Sequence, residues 1–240
     1  MRLRVRAPQP RAIVSLTFDD GLSSQRRAAA LLDERGLLGT FYVPSGMIGS
    51  ISNRLGWEDV RALAAAGHEI GGHTRTHVHL SEVSPEDAAD QIAADRQELL
   101  GRGLEVSTFA YPFGEHDERV RALVRDAGYT AARAVGGVLE SVPPADVFAL
   151  RTPHSARSWT DADDLAALVR VAEHEGAWAL PVFHHIGEGA ETDYATSEAD
   201  FAAFLDWLLT RNVTVRRVSD VVSTPHARSR SRWRRGAPTS

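Results

Sequence analysis

Short apolar runs alternate along this chain with longer amphipathic stretches, and that alternation limits the fold more than any single motif does. The runs fall at 13–18, 40–43, 68–70, 108–110, 129–134, 148–150, 177–183 and 213–216. Each is the length of a buried strand and too short for a stable helix. Between them the pattern predicts helices over 24–35, 57–66, 85–100, 115–127, 161–175 and 197–211. Ser84-Pro85-Glu86-Asp87 and Thr160-Asp161 place capping side chains and acids where two helices should begin. Gly36, Gly67, Gly101, Gly128 and Gly176 fall where helices should stop. Strands alternating with helices over short connections imply parallel pairing and an α/β fold. Residues 135–147, with two glycines and two prolines, read as a surface loop.

At 240 residues and 43% hydrophobic content, the chain can bury a substantial core as a single domain. It has no cysteine, so a metal site must use nitrogen and oxygen ligands. All 27 basic residues are arginine. The net charge of −5 hides an asymmetry: Arg228, Arg230, Arg232, Arg234 and Arg235 crowd the C-terminus without an acid, leaving 22 basic against 32 acidic residues elsewhere. An acidic body argues against nucleic acid as the main partner, and 223–240 reads as a basic, disordered tail. No apolar run approaches the roughly 18 residues of a membrane span. Residues 1–11 are basic, contain Pro8 and Pro10, and lack the apolar centre of a secretory signal. They read as an extension to a domain over 12–222, cytoplasmic as written and extracytoplasmic only if the true start lies upstream.

Two segments carry chemistry. Thr17-Phe18-Asp19-Asp20-Gly21 sets two carboxylates side by side after a strand-like run. His73-Thr74-Arg75-Thr76-His77 places two imidazoles four residues apart after Gly71-Gly72. Alone, the first fits an ordinary Asp-Gly turn and the second a solvated loop. Together they offer one aspartate and two histidines to a divalent metal, leave positions open for water and substrate, and keep a second aspartate as a base. Tyr111-Pro112-Phe113-Gly114 and His184 also follow strand-like runs, as active-site residues do in βα barrels. Tyr111 and Trp159 are candidates to stack on a sugar ring.

In this order the segments resemble the polysaccharide deacetylase family, the NodB-homology domains of carbohydrate esterase family 4. The likeness spans about residues 12–222, with Phe109-Ala110-Tyr111-Pro112-Phe113-Gly114 as a third motif and Val182-Phe183-His184 as the last. The Phe-Ala-Tyr-Pro form resembles a branch near the deacetylases of biofilm poly-N-acetylglucosamine. The resemblance implies a distorted (β/α)7-type barrel. It implies that Asp20, His73 and His77 hold one divalent metal, zinc first and cobalt, nickel or manganese as alternatives. It makes Asp19 the catalytic base, His184 the general acid in preference to His185, and the Phe113 main-chain N–H a donor to the oxyanion. The metal polarises an amide carbonyl and acidifies water, and the imidazole protonates the departing amine.

The chain also departs from the family pattern. Members often carry an arginine, orienting the catalytic aspartate, where this chain has Ala110; Arg151, ahead of Arg75, is expected to replace it. The family's fourth-motif aspartate has only Ser158-Trp159-Thr160-Asp161 as an echo. The leading expectation is a metal-dependent hydrolase removing N-acetyl groups from amino sugars in oligo- or polysaccharides. The alternative is a de-N-acylase of an intracellular small molecule: a sugar intermediate, a natural-product precursor or a cyclic amide. A third reading is a carbohydrate-binding module on a decayed scaffold.

Overall fold

The computed structural model describes residues 12–50, 52–137, 139–153, 155–188 and 193–224. The extension 1–11, the tail from 225 onward, His154, His226 and Trp233 lie outside the described residues.

Six parallel strands form the main sheet, in the order β6 (Ala131–Arg133), β5 (Thr108–Ala110), β4 (Glu69–Gly72), β3 (Gly39–Val43), β2 (Leu16–Phe18) and β8 (Val182–Phe183). A second sheet orders β11 (Thr214–Val215), β1 (Ile13–Val14) and β7 (Trp178–Ala179), also parallel. The two are parts of one curved wall. Main-chain N–H groups of Ile13, Ser15, Thr17 and Asp19 donate to the carbonyls of Ala177, Ala179, Pro181 and Phe183 at 2.9–3.1 Å. The expected strands 13–18 and 177–183 therefore run side by side unbroken. The opposite edge of 13–18 passes from β11 to β3, which curls the wall into a distorted (β/α)7-type barrel.

The gap between β6 and β7 is closed without a regular strand. Run 148–150 makes a single parallel bridge, Leu150 to Arg133, and Glu140 makes an antiparallel bridge to Trp178. Thus 135–147 is more than a surface loop: Glu140 is buried, and its carboxylate accepts from the Arg151 N–H and guanidinium.

All six expected helices form: α1 (Gln25–Asp33), α2 (Trp57–Ala65), α3 (Pro85–Gly101), α4 (Glu118–Asp126), α5 (Ala162–Glu175) and α6 (Glu198–Leu209). Ser84 Oγ caps α3 through the Asp87 N–H, and Asp161 caps α5 through those of Asp163 and Asp164. Gly176 ends α5 in the left-handed conformation, whereas Gly101 stays inside α3 and Gly103 makes the turn (φ 80°). Short β9 (His185–Ile186), β10 (Ala195–Thr196) and helix α7 (Val218–Ser223) had no periodic signal long enough to read. Helix α7 is held by polar anchors, its Val218 and Ser219 N–H groups donating to Thr40 and buried Glu69.

The core beneath the rim is aromatic. Phe18 stacks on Phe41 at 4.6 Å and Phe183 at 5.5 Å, and meets Phe201 edge-on at 5.9 Å. Each buried phenylalanine contributes about 1.5–3 kcal/mol, so the strand ends bearing Asp19 and His184 stand on a rigid floor. Among the described residues, no helix is long and apolar enough to cross a membrane.

Candidate metal centre and active site

The C-terminal ends of β2, β4, β5, β6 and β8 meet at one rim. They deliver Asp19 and Asp20, His73 and His77, Tyr111, Phe113 and Gly114, Arg133, and His184 to a cavity of about 210 Å³. Val135, Ser155, Arg157 and Tyr194 complete its wall.

Asp20, His73 and His77 converge. Asp20 Oδ1 lies 3.4 Å from His73 Nε2 and 3.1 Å from His77 Nε2. Tetrahedral ligands on a metal with bonds of about 2.0–2.1 Å stand roughly 3.3 Å apart, so the cradle fits a divalent cation. The His73 Nδ1–H donates to the Ala110 carbonyl at 2.8 Å, because a carbonyl can only accept; Nε2 is left with its lone pair toward the cradle. Burial raises the Asp20 pKa, yet the adjacent His73 and His77 imidazoles outweigh it and hold the carboxyl far below the usual range. Burial pushes His73 down, but Asp20 reverses the sign and its imidazole binds a proton more tightly than usual. Proton and cation therefore compete for one lone pair.

Local strain marks the same rim. The four non-glycine residues with positive φ among the described residues are Asp20 (76°), Thr74 (62°), His77 (57°) and Phe113 (58°). Such conformations cost on the order of 1–3 kcal/mol each and persist only when the surroundings fix them. Here α3 does much of the fixing. Gln91 accepts from the Arg75 N–H through its carbonyl and from the Thr76 N–H through its side chain, both at 3.0 Å. One turn on, Asp95 accepts from the Ser45 N–H at 2.8 Å and the His73 N–H at 3.0 Å. Burial pushes the Asp95 pKa up to about 7. Gly71 and Gly72 are required by close approach: a Cβ on the first would overlap the Tyr42 ring, and one on the second the Tyr129 hydroxyl and Asp95.

Asp19 is buried, and its Oδ2 receives Arg133 Nη2 at 2.5 Å; its Oδ1 is buried with no hydrogen-bond partner. The guanidinium on Asp19 is thus Arg133's, not that of Arg151 or Arg75. Arg151 turns to Glu140, with Nη2 3.2 Å from its carboxylate, and Arg75 is exposed. Arg133 is the register partner of Ala110 on the neighbouring strand, so the positive charge has moved one strand over at the same level. A lone charge closing the apolar run 129–134 was the available signal. Gln25 ties the two halves of the rim, its Nε2 donating to the carbonyls of Asp19 at 2.5 Å and His184 at 3.1 Å.

His184 lines the cavity and His185 does not. Burial pushes the His184 pKa down, against the upward pull of Asp19 and Asp20. Asp161 is consumed in capping α5 and leaves the fourth-motif aspartate unmatched. Tyr111 is 1% exposed, donates its hydroxyl to the Phe148 carbonyl at 3.0 Å and stacks on His116, so it braces the floor with no free face for a sugar. Phe113 is exposed and stacks on His79 at 3.6 Å while meeting His77 edge-on at 4.6 Å. Trp159 is 68% exposed.

The family described as polysaccharide deacetylase matches residues 6–132. A gellan lyase from Bacillus sp. is 33% identical over 127 residues, 52% of this chain but only 5% of that protein's length. A chitooligosaccharide deacetylase from Bradyrhizobium sp. (strain ANU 289) is 27% identical over 184 residues, covering 67% of this chain and 81% of the relative. The Xyl-CE4 domain of a multidomain xylanase from the hindgut metagenome of Trinervitermes trinervoides superposes with a TM-score of 0.63 at 16% identity, over 88% of this chain and 89% of that one, a likeness of fold. With more than half its length matched and the barrel shared, this chain belongs to the polysaccharide deacetylase family.

Proposed function

We propose that the protein is a divalent-metal-dependent hydrolase that removes N-acetyl groups from N-acetylated amino sugars in oligo- or polysaccharides, releasing acetate and a free amine. The observation that carries this reading is the Asp20–His73–His77 cradle in one cavity with the Asp19–Arg133 pair. Zinc suits the nitrogen and oxygen donors, as do cobalt, nickel or manganese. When bound, the metal supplies Lewis acidity to the acetamide carbonyl and to water.

The chain's own residues do the rest. Asp19 accepts a proton from the attacking water at Oδ1, the oxygen Arg133 leaves free. The Phe113 N–H, on its strained turn, is the main-chain donor for the developing oxyanion. His184 protonates the departing amine, and its depressed pKa makes the imidazolium a readier donor. The Bradyrhizobium relative is named for deacetylation of chitooligosaccharides, which favours a sugar over the small-molecule alternative. The test is acetate release by zinc-loaded protein from chitooligosaccharides and peptidoglycan fragments. Asp19→Asn should lower turnover by about 10²–10⁴-fold while keeping the metal. No acetate from any N-acetylated sugar would overturn the reading.

A further inference from the structure

Of the two guanidinium groups in the cavity wall, Arg133 is committed to Asp19, whereas Arg157 pairs with no acid among the described residues. Arg157 lies instead on aromatic rings, 4.0 Å from the centroid of Tyr194 and 5.7 Å from that of Trp159. A guanidinium seated over aromatic rings spends no N–H on an acid there, and its N–H groups stay available for a planar, two-oxygen anion. Its main chain is fixed on three sides. The Ala156 N–H donates to Val182 at 2.8 Å, the Arg157 N–H to Thr160 Oγ1 at 3.0 Å, and the Ser158 N–H to Asp193 at 2.7 Å. Such anchoring is what a pre-organised recognition group requires. The Tyr194 ring beneath Arg157 lies 5.1 Å from the His184 ring, on the side assigned to the leaving amine.

We propose that Arg157 recognises an anionic substituent of the substrate, so that this site prefers N-acetylated sugars bearing a carboxylate or phosphate near the acetamide over neutral ones. The inference rests on the deacetylase reading and names its substrate class. An arginine that only braced the 157–160 turn would bind no anion and set no preference.

Three substrates separate these cases: a neutral N-acetylglucosamine oligomer, a peptidoglycan glycan fragment whose lactyl ether carries a carboxylate, and a phosphorylated N-acetylglucosamine. The quantity read is the ratio of kcat/KM for each charged substrate to that for the neutral one, in the wild type, Arg157→Gln and Arg157→Lys. Wild-type protein should favour at least one charged substrate by about tenfold or more, in line with a charge-assisted hydrogen bond. Arg157→Gln should bring that ratio near one and Arg157→Lys should keep part of it; the carboxylate and phosphate arms tell which anion is read. A wild-type ratio near one, or a preference that survives Arg157→Gln, overturns the inference while leaving the deacetylase reading intact. Absence of acetate from all three substrates sinks that reading and this inference with it. Calorimetric binding to Asp19→Asn gives an independent readout: charged sugars must bind tighter than neutral ones, and equal binding counts against Arg157.

Discussion

Arg133, at the end of β6, holds Asp19, at the end of β2, by an ion pair of 2.5 Å between two side chains that are almost wholly buried. The two residues lie 114 positions apart. Arg133 is itself packed against the Tyr42 ring, 5.3 Å from its centroid. The pair occupies Oδ2 and leaves Oδ1 without a partner, and the register with Ala110 shows why alanine suffices on β5.

Replacing Arg133 with methionine leaves a buried carboxylate without its counter-charge. Breaking one partner of such a pair costs about 3–5 kcal/mol, and misplacing Asp19, the proposed base, should cost on the order of 10²-fold in kcat. Denaturant unfolding and acetate release should show both losses. Asp19→Asn combined with Arg133→Met should recover part of the stability and none of the activity. Single Arg133→Met protein with wild-type kcat would remove Arg133 from its positioning role.

Asp95 makes stability depend on pH. Its folded pKa of about 7 stands above the ordinary 3.8. Below 3.8 both folded and unfolded chains hold the proton, and between the two values only the folded chain does. The contribution is therefore present in full at low pH and is lost as pH rises to about 7, amounting to about 4 kcal/mol. Urea midpoints of chelated wild-type and Asp95→Asn protein from pH 4.5 to 8 test the sign. The wild-type advantage should shrink with rising pH; a constant difference would show that Asp95 does not hold a proton in the fold.

Gly72→Ala should force Tyr129 and Asp95 away from β4, at about 1–3 kcal/mol, and loosen zinc binding because His73 is the next residue. Tyr129→Phe removes the hydroxyl that the new methyl meets first. The double variant should regain part of both stability and zinc affinity, measured by thermal melting and competition with a chromogenic chelator.

Strand positions and the metal-ligand candidates were legible because both are local patterns. Apolar runs mark strands such as Thr108–Ala110, and Asp20 after one such run with the His73/His77 pair after another offers a ligand set on neighbouring motifs. What stayed hidden is set by register and helix faces. Arg151 looked suited to Asp19 only because it follows an apolar run, while Glu140, buried by its bridge to Trp178, captures it. Asp95 reads as one more acid in a charged helix until α3 packs against the turn at Ser45 and the β4 end. Tyr111 seemed free to stack because its motif adjoins the site, but its ring is sealed beneath it. The closing segment 139–152 lacks a strand's alternation, since it pairs through single bridges.

Metal content tests the central claim most directly. Elemental analysis of protein purified without chelator and equilibrated with zinc should find about one ion per chain in the wild type, and in Asp19→Asn, whose substitution leaves the cradle whole. His73→Ala and His77→Ala should lose it. Wild-type protein without stoichiometric metal, or histidine variants that retain it, would contradict the account.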